Sequence, residues 1–161
     1  MKKLFLSLSL LMAFPLLNTA YANTSLPVTK GIQNESSTEL NKKIVTDFYQ
    51  GVFQKHQVQS YSDQYLVNNY IQHNPYVADG KKPFVDYFVE YFKKNPKATS
   101  EIKRIAADGN LVWVHVHSKE HEKDLGTAVI DIFRLEKGKI VEHWDVIQNV
   151  PEQSANQNTM F

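Results

Sequence analysis

The sequence predicts an α+β fold: about three N-terminal helices packed on a strongly curved, mainly antiparallel sheet that forms a cone with an internal cavity. Three observations predict it. Between residues 36 and 94 apolar side chains recur at helical spacing. From Thr99 onward the period changes to that of strands. The strand half is punctuated by two glycine turns, Asp108-Gly109-Asn110 and Glu136-Lys137-Gly138-Lys139. Helices first and an antiparallel meander after them form an α+β pattern, and helices against one face of a long curved sheet enclose a small-molecule pocket.

Each element has its own signal. Ser36 followed three residues later by Glu39 fits a capping box. Leu40, Ile44, Phe48 and Val52, with Val45 beside them, then form the buried stripe of a helix over residues 36–56. A second helix is expected over 58–70, with Tyr61, Tyr65, Leu66 and Ile71 as its apolar members, closed by Asn74-Pro75. A third runs over 82–94, with Pro83 in its first turn and an aromatic face that includes Phe84 and Phe88. Strands are expected over 100–107, 111–119, 126–135 and 139–148. Gly138 is the expected left-handed residue of a three- to five-residue loop joining the last two.

The ends read differently. Lys2 and Lys3 precede an apolar run over residues 4–17, and Ala20-Tyr21-Ala22 is a small-x-small cleavage site. This is the pattern of a Sec-type signal peptide cleaved after Ala22, with secretion or a bacterial periplasm as the destination. The run is shorter than the ~20 residues a membrane span requires, so no membrane association is expected after cleavage. Residues 23–35 form a polar, flexible lead-in, residues 36–150 the domain, and residues 151–161 a polar tail expected to fray.

Composition narrows the function. Net charge is +1, and removing Lys2 and Lys3 turns it to −1. No basic stripe is present to bind nucleic acid. The chain has no cysteine, hence no disulfide, thiol nucleophile or thiolate metal site. No glycine-rich nucleotide motif is present, and no cofactor is expected.

The last hairpin, Ile-Asp-Ile-Phe-Arg-Leu over 130–135 and Gly-Lys-Ile-Val-Glu-His-Trp-Asp-Val-Ile-Gln over 138–148, concentrates polar groups in apolar strands. With Tyr-Ile-Gln-His-Asn-Pro over 70–75, Asp79-Gly80 and the phenylalanine-rich helix, it resembles the SnoaL-like polyketide cyclases of the nuclear-transport-factor-2-like, or cystatin-like α+β cone, superfamily. The resemblance covers roughly residues 36–150. It implies the cone fold and a small apolar or aromatic ligand. It also implies a homodimer through the outer sheet face, and cofactor-independent acid/base chemistry of the aldol cyclase, isomerase or dehydratase type. The fold also hosts non-catalytic binding and dimerisation modules. In the cyclases the working aspartate lies about four residues past the strand tryptophan, a position that is Gln148 here. The acid must then come from elsewhere, or no such chemistry occurs.

By strand alternation His143 and Asp145 share one face, and Trp144 and Gln148 the other. Asp145 is the expected base and His143 a donor to an oxyanion; the structural reading is a polar pair on the solvent side. His73, in the turn after the second helix, is either a second donor or a cap on that helix. Asp131, between Ile130 and Ile132, is a second acid or half of a structural ion pair. Tyr70, Trp144, Gln148 and Phe88 are the expected ligand contacts. His115 and His117 point the same way on a strand and could share a metal, but the rest of a metal-barrel motif is missing and no metal is expected. Intact-mass and light-scattering measurements on exported material should find a mature chain beginning at Asn23 that associates as a dimer. Retained residues 1–22 would remove the export reading, and a monomeric mass the dimer.

Overall fold

The computed structural model describes residues 36–161. The expected signal peptide, and the lead-in up to Glu35, lie outside the described residues. The elements are α1 (Ser37–Phe53), α2 (Val58–Tyr65), β1 (Leu66–Gln72), α3 (Lys81–Lys94), β2 (Thr99–Asp108), β3 (Leu111–Lys119), β4 (Thr127–Glu136) and β5 (Lys139–Asn149). Ser36 caps α1, its hydroxyl accepting the Glu39 backbone N–H at 3.3 Å. The strands form one open mixed sheet in the order β1-β5-β4-β3-β2. Three of its pairings are antiparallel, and β1 joins β5 in parallel.

The parallel strand corrects the expectation of a helix continuing to residue 70. Tyr65 and Leu66 are compatible with either period. Val67-Asn68-Asn69-Tyr70-Ile71, however, combines β-branched, aromatic and asparagine residues of poor helix propensity. The open edge of β5 then captures them as a strand, pairing Ile71 with Glu142 and Gln72 with His143. The last hairpin is also tighter than expected. Glu136 pairs with Lys139, leaving a two-residue loop in which Lys137 (φ 50°) and Gly138 (φ 75°) are both left-handed, the geometry whose twist suits adjoining strands.

One face of the sheet packs on the helices. Val112, Val114 and Val116 on β3, Val129, Phe133 and Leu135 on β4 and Ile140 on β5 are all buried, with Val45, Phe48 and Val52 of α1 and Phe84 and Val85 of α3 against them. Each fully buried valine contributes on the order of 1.5–3 kcal/mol relative to exposure. Leu40 departs from the expected stripe: it lies half exposed, one turn outside the sheet's cover. A register shift at Arg134/Leu135 lets Ile140 and His143 both turn inward although they are three residues apart. The tail returns over the opposite face, where the Phe161 ring stacks 3.9 Å from that of His117.

The two-helix corner depends on Gly51, against which the Tyr61 ring packs so closely that a Cβ would lie 2.1 Å from its Cδ1. Gly51→Ala should lower stability by about 2 kcal/mol in urea titration. Overpacking of up to about 3 kcal/mol outweighs the roughly 1 kcal/mol gain in helix propensity. A variant as stable as the wild type would show that α2 is not held by this contact.

Candidate active site

Between α1, α3 and the inner sheet face lies a cavity of about 340 Å³, the size range of small-molecule sites. Phe53, Phe84, Phe88, Phe92 and Phe133 supply most of its apolar wall, and Asp131, His143, Asp145, Gln72 and Asn74 gather at one end. The elements that deliver those five are β4, β5 and the end of β1. Asp131 and Asp145 are direct neighbours across β4 and β5, and Gln72 sits beside His143 because β1 pairs in parallel.

The hydrogen bonds at this end locate a proton. Gln72 Oε1 accepts the Asn74 backbone N–H at 3.0 Å, which identifies it as the carbonyl end of the amide. His143 Nδ1, 2.8 Å from the same oxygen, must therefore be a donor. Its other nitrogen, Nε2, lies 2.9 Å from Asp131 Oδ1, and two lone pairs cannot face each other at that distance. A proton sits between them. Together His143 and Asp131 form an overall neutral pair that carries one transferable proton, whichever atom holds it. Both residues are only 7% exposed, and a buried carboxylate is tolerated only when so partnered.

Tyr49 completes the cage, donating its hydroxyl to Asp131 Oδ2 at 3.0 Å. Burial, then the charge and hydrogen bond of Asp131, push the Tyr49 phenol well above its ordinary value. Burial, followed by the charges of Asp131 and Asp145, does the same to Tyr70. Both phenols thus remain proton donors at neutral pH.

Asp145 is held differently. Asn74 Oδ1 accepts the Tyr76 backbone N–H at 2.9 Å, so its Nδ2 is turned to Asp145 Oδ2 at 2.6 Å. The other Asp145 oxygen has no protein partner among the described residues. Asp131, His143 and Asp145 bring one ligand atom each within 4.8 Å of one another, a set a divalent cation could use. Hydrogen bonds among themselves and to Tyr49, Gln72 and Asn74 already engage all three.

Of the residues singled out from sequence, Asp131, His143, Asp145, Tyr70 and Phe88 line this cavity. His73, Trp144 and Gln148 do not, which corrects their expected placement. His73 follows a strand rather than a helix. Its ring stacks on Trp144 at 4.7 Å on the outer face, and its Nε2 donates to Glu142 Oε1 at 2.8 Å. That hydrogen bond, with a further one from Arg134, holds the Glu142 carboxyl below its ordinary value. Gln148 is exposed on the same outer side as Trp144, one residue past the inward Ile147. His117 donates to the Leu125 carbonyl at 2.8 Å, and His115 Nδ1 accepts from Arg104 at 3.1 Å. A guanidinium at that nitrogen opposes a metal there. Tyr49 carries no role in the sequence pattern, and Asn74 appears there only as the end of the second helix. Tyr49 was findable: it stands four residues after Val45 on the buried stripe, and a buried tyrosine hydroxyl needs a partner.

Fold and site together define an α+β pocket protein with a hydrogen-bonded Asp–His pair and a second carboxylate, one oxygen of it without a protein partner among the described residues, at one end of an aromatic cavity. The chain belongs to the SnoaL-like domain family, whose pattern matches residues 45–143. Three solved structures share its nuclear-transport-factor-2-like fold. One, from Bacillus cereus ATCC 10987, is provisionally named a polyketide cyclase; identity is 18%, coverage 68% of this chain and 74% of that one, and the TM-score 0.58. Another, from Kribbella flavida DSM 17836, is provisionally named a ketosteroid isomerase, with 13% identity, 74% and 85% coverage and a TM-score of 0.60. A third, from Acidithiobacillus ferrooxidans, again provisionally a polyketide cyclase, has 16% identity, 70% and 90% coverage and a TM-score of 0.58. No curated protein matches the chain.

Phenol titration tests the cage. In the folded protein Tyr65 should ionise near pH 12, while Tyr49 and Tyr70 stay protonated until the chain unfolds. Tyrosines of the unfolded chain ionise near 10, so this part of the stability is complete below pH 10 and falls as pH rises above it. Tyr49→Phe should cost about 1–3 kcal/mol by leaving Asp131 Oδ2 without its donor, and should flatten that alkaline slope. Ordinary titration of every phenol in the folded state would contradict the cage.

Proposed function

We propose that this protein is a cofactor-independent acid/base enzyme of the cyclase or isomerase type, acting on a small apolar or aromatic carbonyl compound. Asp145 is the base that removes a proton next to the carbonyl. The Asp131–His143 pair is the acid that returns one or stabilises the enolate oxygen, with the Tyr70 phenol as a further donor. The observation that carries this reading is the 2.9 Å hydrogen bond between His143 Nε2 and Asp131 Oδ1 beside a second carboxylate with one oxygen free of protein partners among the described residues. Two adjacent carboxylates in different hydrogen-bonding surroundings divide acid from base, and aromatic walls suit a flat substrate. The provisional names of the cyclase and isomerase structures are in keeping with this. Export and homodimerisation belong to the same proposal. Ile130 and Val146, exposed side by side on the outer sheet face, support a second copy packing there.

The test uses 2-acetylnaphthalene, whose methyl protons exchange with D2O through the enolate. Proton NMR should show exchange accelerated by the mature wild-type protein. Asp145→Asn keeps the shape and the Asn74 contact but should lose about 10²–10⁴-fold, the usual contribution of a positioned general base. Binding of the ketone without exchange would leave a non-catalytic ligand-binding module, and undiminished exchange in Asp145→Asn would remove Asp145 as the base.

A further inference from the structure

The cavity has a second polar end. Ser100, Ser118 and Thr127 are neighbours in a row across β2, β3 and β4, and all three line the same cavity as Asp145. Buried Ser100 shares a hydroxyl–hydroxyl hydrogen bond of 3.0 Å with Ser118 and also bonds the Tyr49 phenol. Ser118 has no further protein partner, and the Thr127 hydroxyl has none at all, among the described residues. Thr127 precedes Asp131 by four residues on the same face of β4, with Val129 between them. A strand rise of about 3.3 Å per residue separates the two by roughly 13 Å. Phe53, Phe88, Phe92 and Ala98 fill the wall along with Val129. Ser118 and Thr127 are half-buried, so a ligand entering the cavity would take the place of solvent at these hydroxyls.

We propose that Ser118 and Thr127 form a distal hydroxyl subsite that binds the second oxygen of an elongated, mostly apolar carbonyl compound. The ligand class is a flat or fused-ring ketone carrying a hydroxyl or second carbonyl roughly 7–9 Å from the reacting one, about the strand separation less the reach of a hydrogen bond at each end. This rests on the acid/base reading for placing the reacting carbonyl at Asp145. The hydroxyl pair itself stands on its own geometry. Ser100 is a positioning residue: its hydrogen bond with Ser118 orients that hydroxyl in the cavity wall.

Two ketones that differ by one hydroxyl test it: 2-acetylnaphthalene and 6-acetyl-2-naphthol, titrated calorimetrically into the mature protein. The naphthol should bind roughly fivefold to tenfold more tightly, the worth of one good hydrogen bond. Thr127→Val and Ser118→Ala should each reduce that advantage towards one while the affinity for 2-acetylnaphthalene stays the same. Thr127→Ser, which keeps the hydroxyl, should preserve it and guards against a general packing defect. Equal affinity for the two ketones in the wild type, failure of both to bind, or an advantage indifferent to the substitutions would overturn the subsite. The two readings fail separately. Loss of the naphthol advantage in Thr127→Val alongside undiminished exchange in Asp145→Asn sinks the catalytic role and keeps the subsite; the reverse result keeps the base and removes the subsite.

Discussion

A single carboxylate set into the apolar face of β4 governs this molecule. Asp131 lies between Val129 and Phe133 on the inner side of the sheet, where an unpaired charge costs several kcal/mol. Total stabilities of domains are only about 5–15 kcal/mol, so its partners are a condition of folding. Tyr49 reaches it from α1 and His143 from β5, and Gln72 on β1 holds His143 in turn. Helix, strand and edge strand are tied through one side chain. Truncating either direct partner removes a structural contact and a chemical group together.

The edge strand has a larger role than its length suggests. By pairing in parallel with β5 it carries Gln72 to the inner face and starts the loop that holds Asn74 under Asp145. Its end is anchored by the His73 N–H donating to the His143 carbonyl at 2.9 Å, by Gly80 N–H to the Tyr70 carbonyl at 2.7 Å, and by Asp79 accepting from Gln72 N–H at 2.8 Å. On the outer side, His73 against Trp144 and the Arg134–Glu142–His73 chain of hydrogen bonds clamp the same junction. His73 therefore acts on the site through the backbone of His143, from the opposite face of the sheet. Two neighbouring aspartates thereby acquire unlike surroundings: one shares a proton with an imidazole, and the other accepts a neutral amide and keeps an oxygen open.

Local chemistry was enough to read much of this from the sequence. The period change at Thr99, the Ser36–Glu39 cap and the two glycine turns located α1, α3 and four strands to within a few residues. Period two placed His143 and Asp145 on one face and Trp144 and Gln148 on the other. These are properties of adjacent residues, carried by backbone geometry and side-chain alternation, and they need no knowledge of distant partners. Which of the two faces looks inward, and that Val67-Asn68-Asn69-Tyr70-Ile71 becomes a strand, are different in kind. Both were decided by what lay opposite: the helices that cover one sheet face, and the open edge of β5 about 70 residues further along. The pairing of Tyr49 with Asp131 spans 82 residues and leaves no local trace beyond a polar atom on a buried stripe. The sequence by itself determined the elements and the list of polar groups that burial would have to satisfy. Only the tertiary structure decided which of them satisfy one another, because a hydrogen bond between residues far apart in the chain exists only once packing has brought them together.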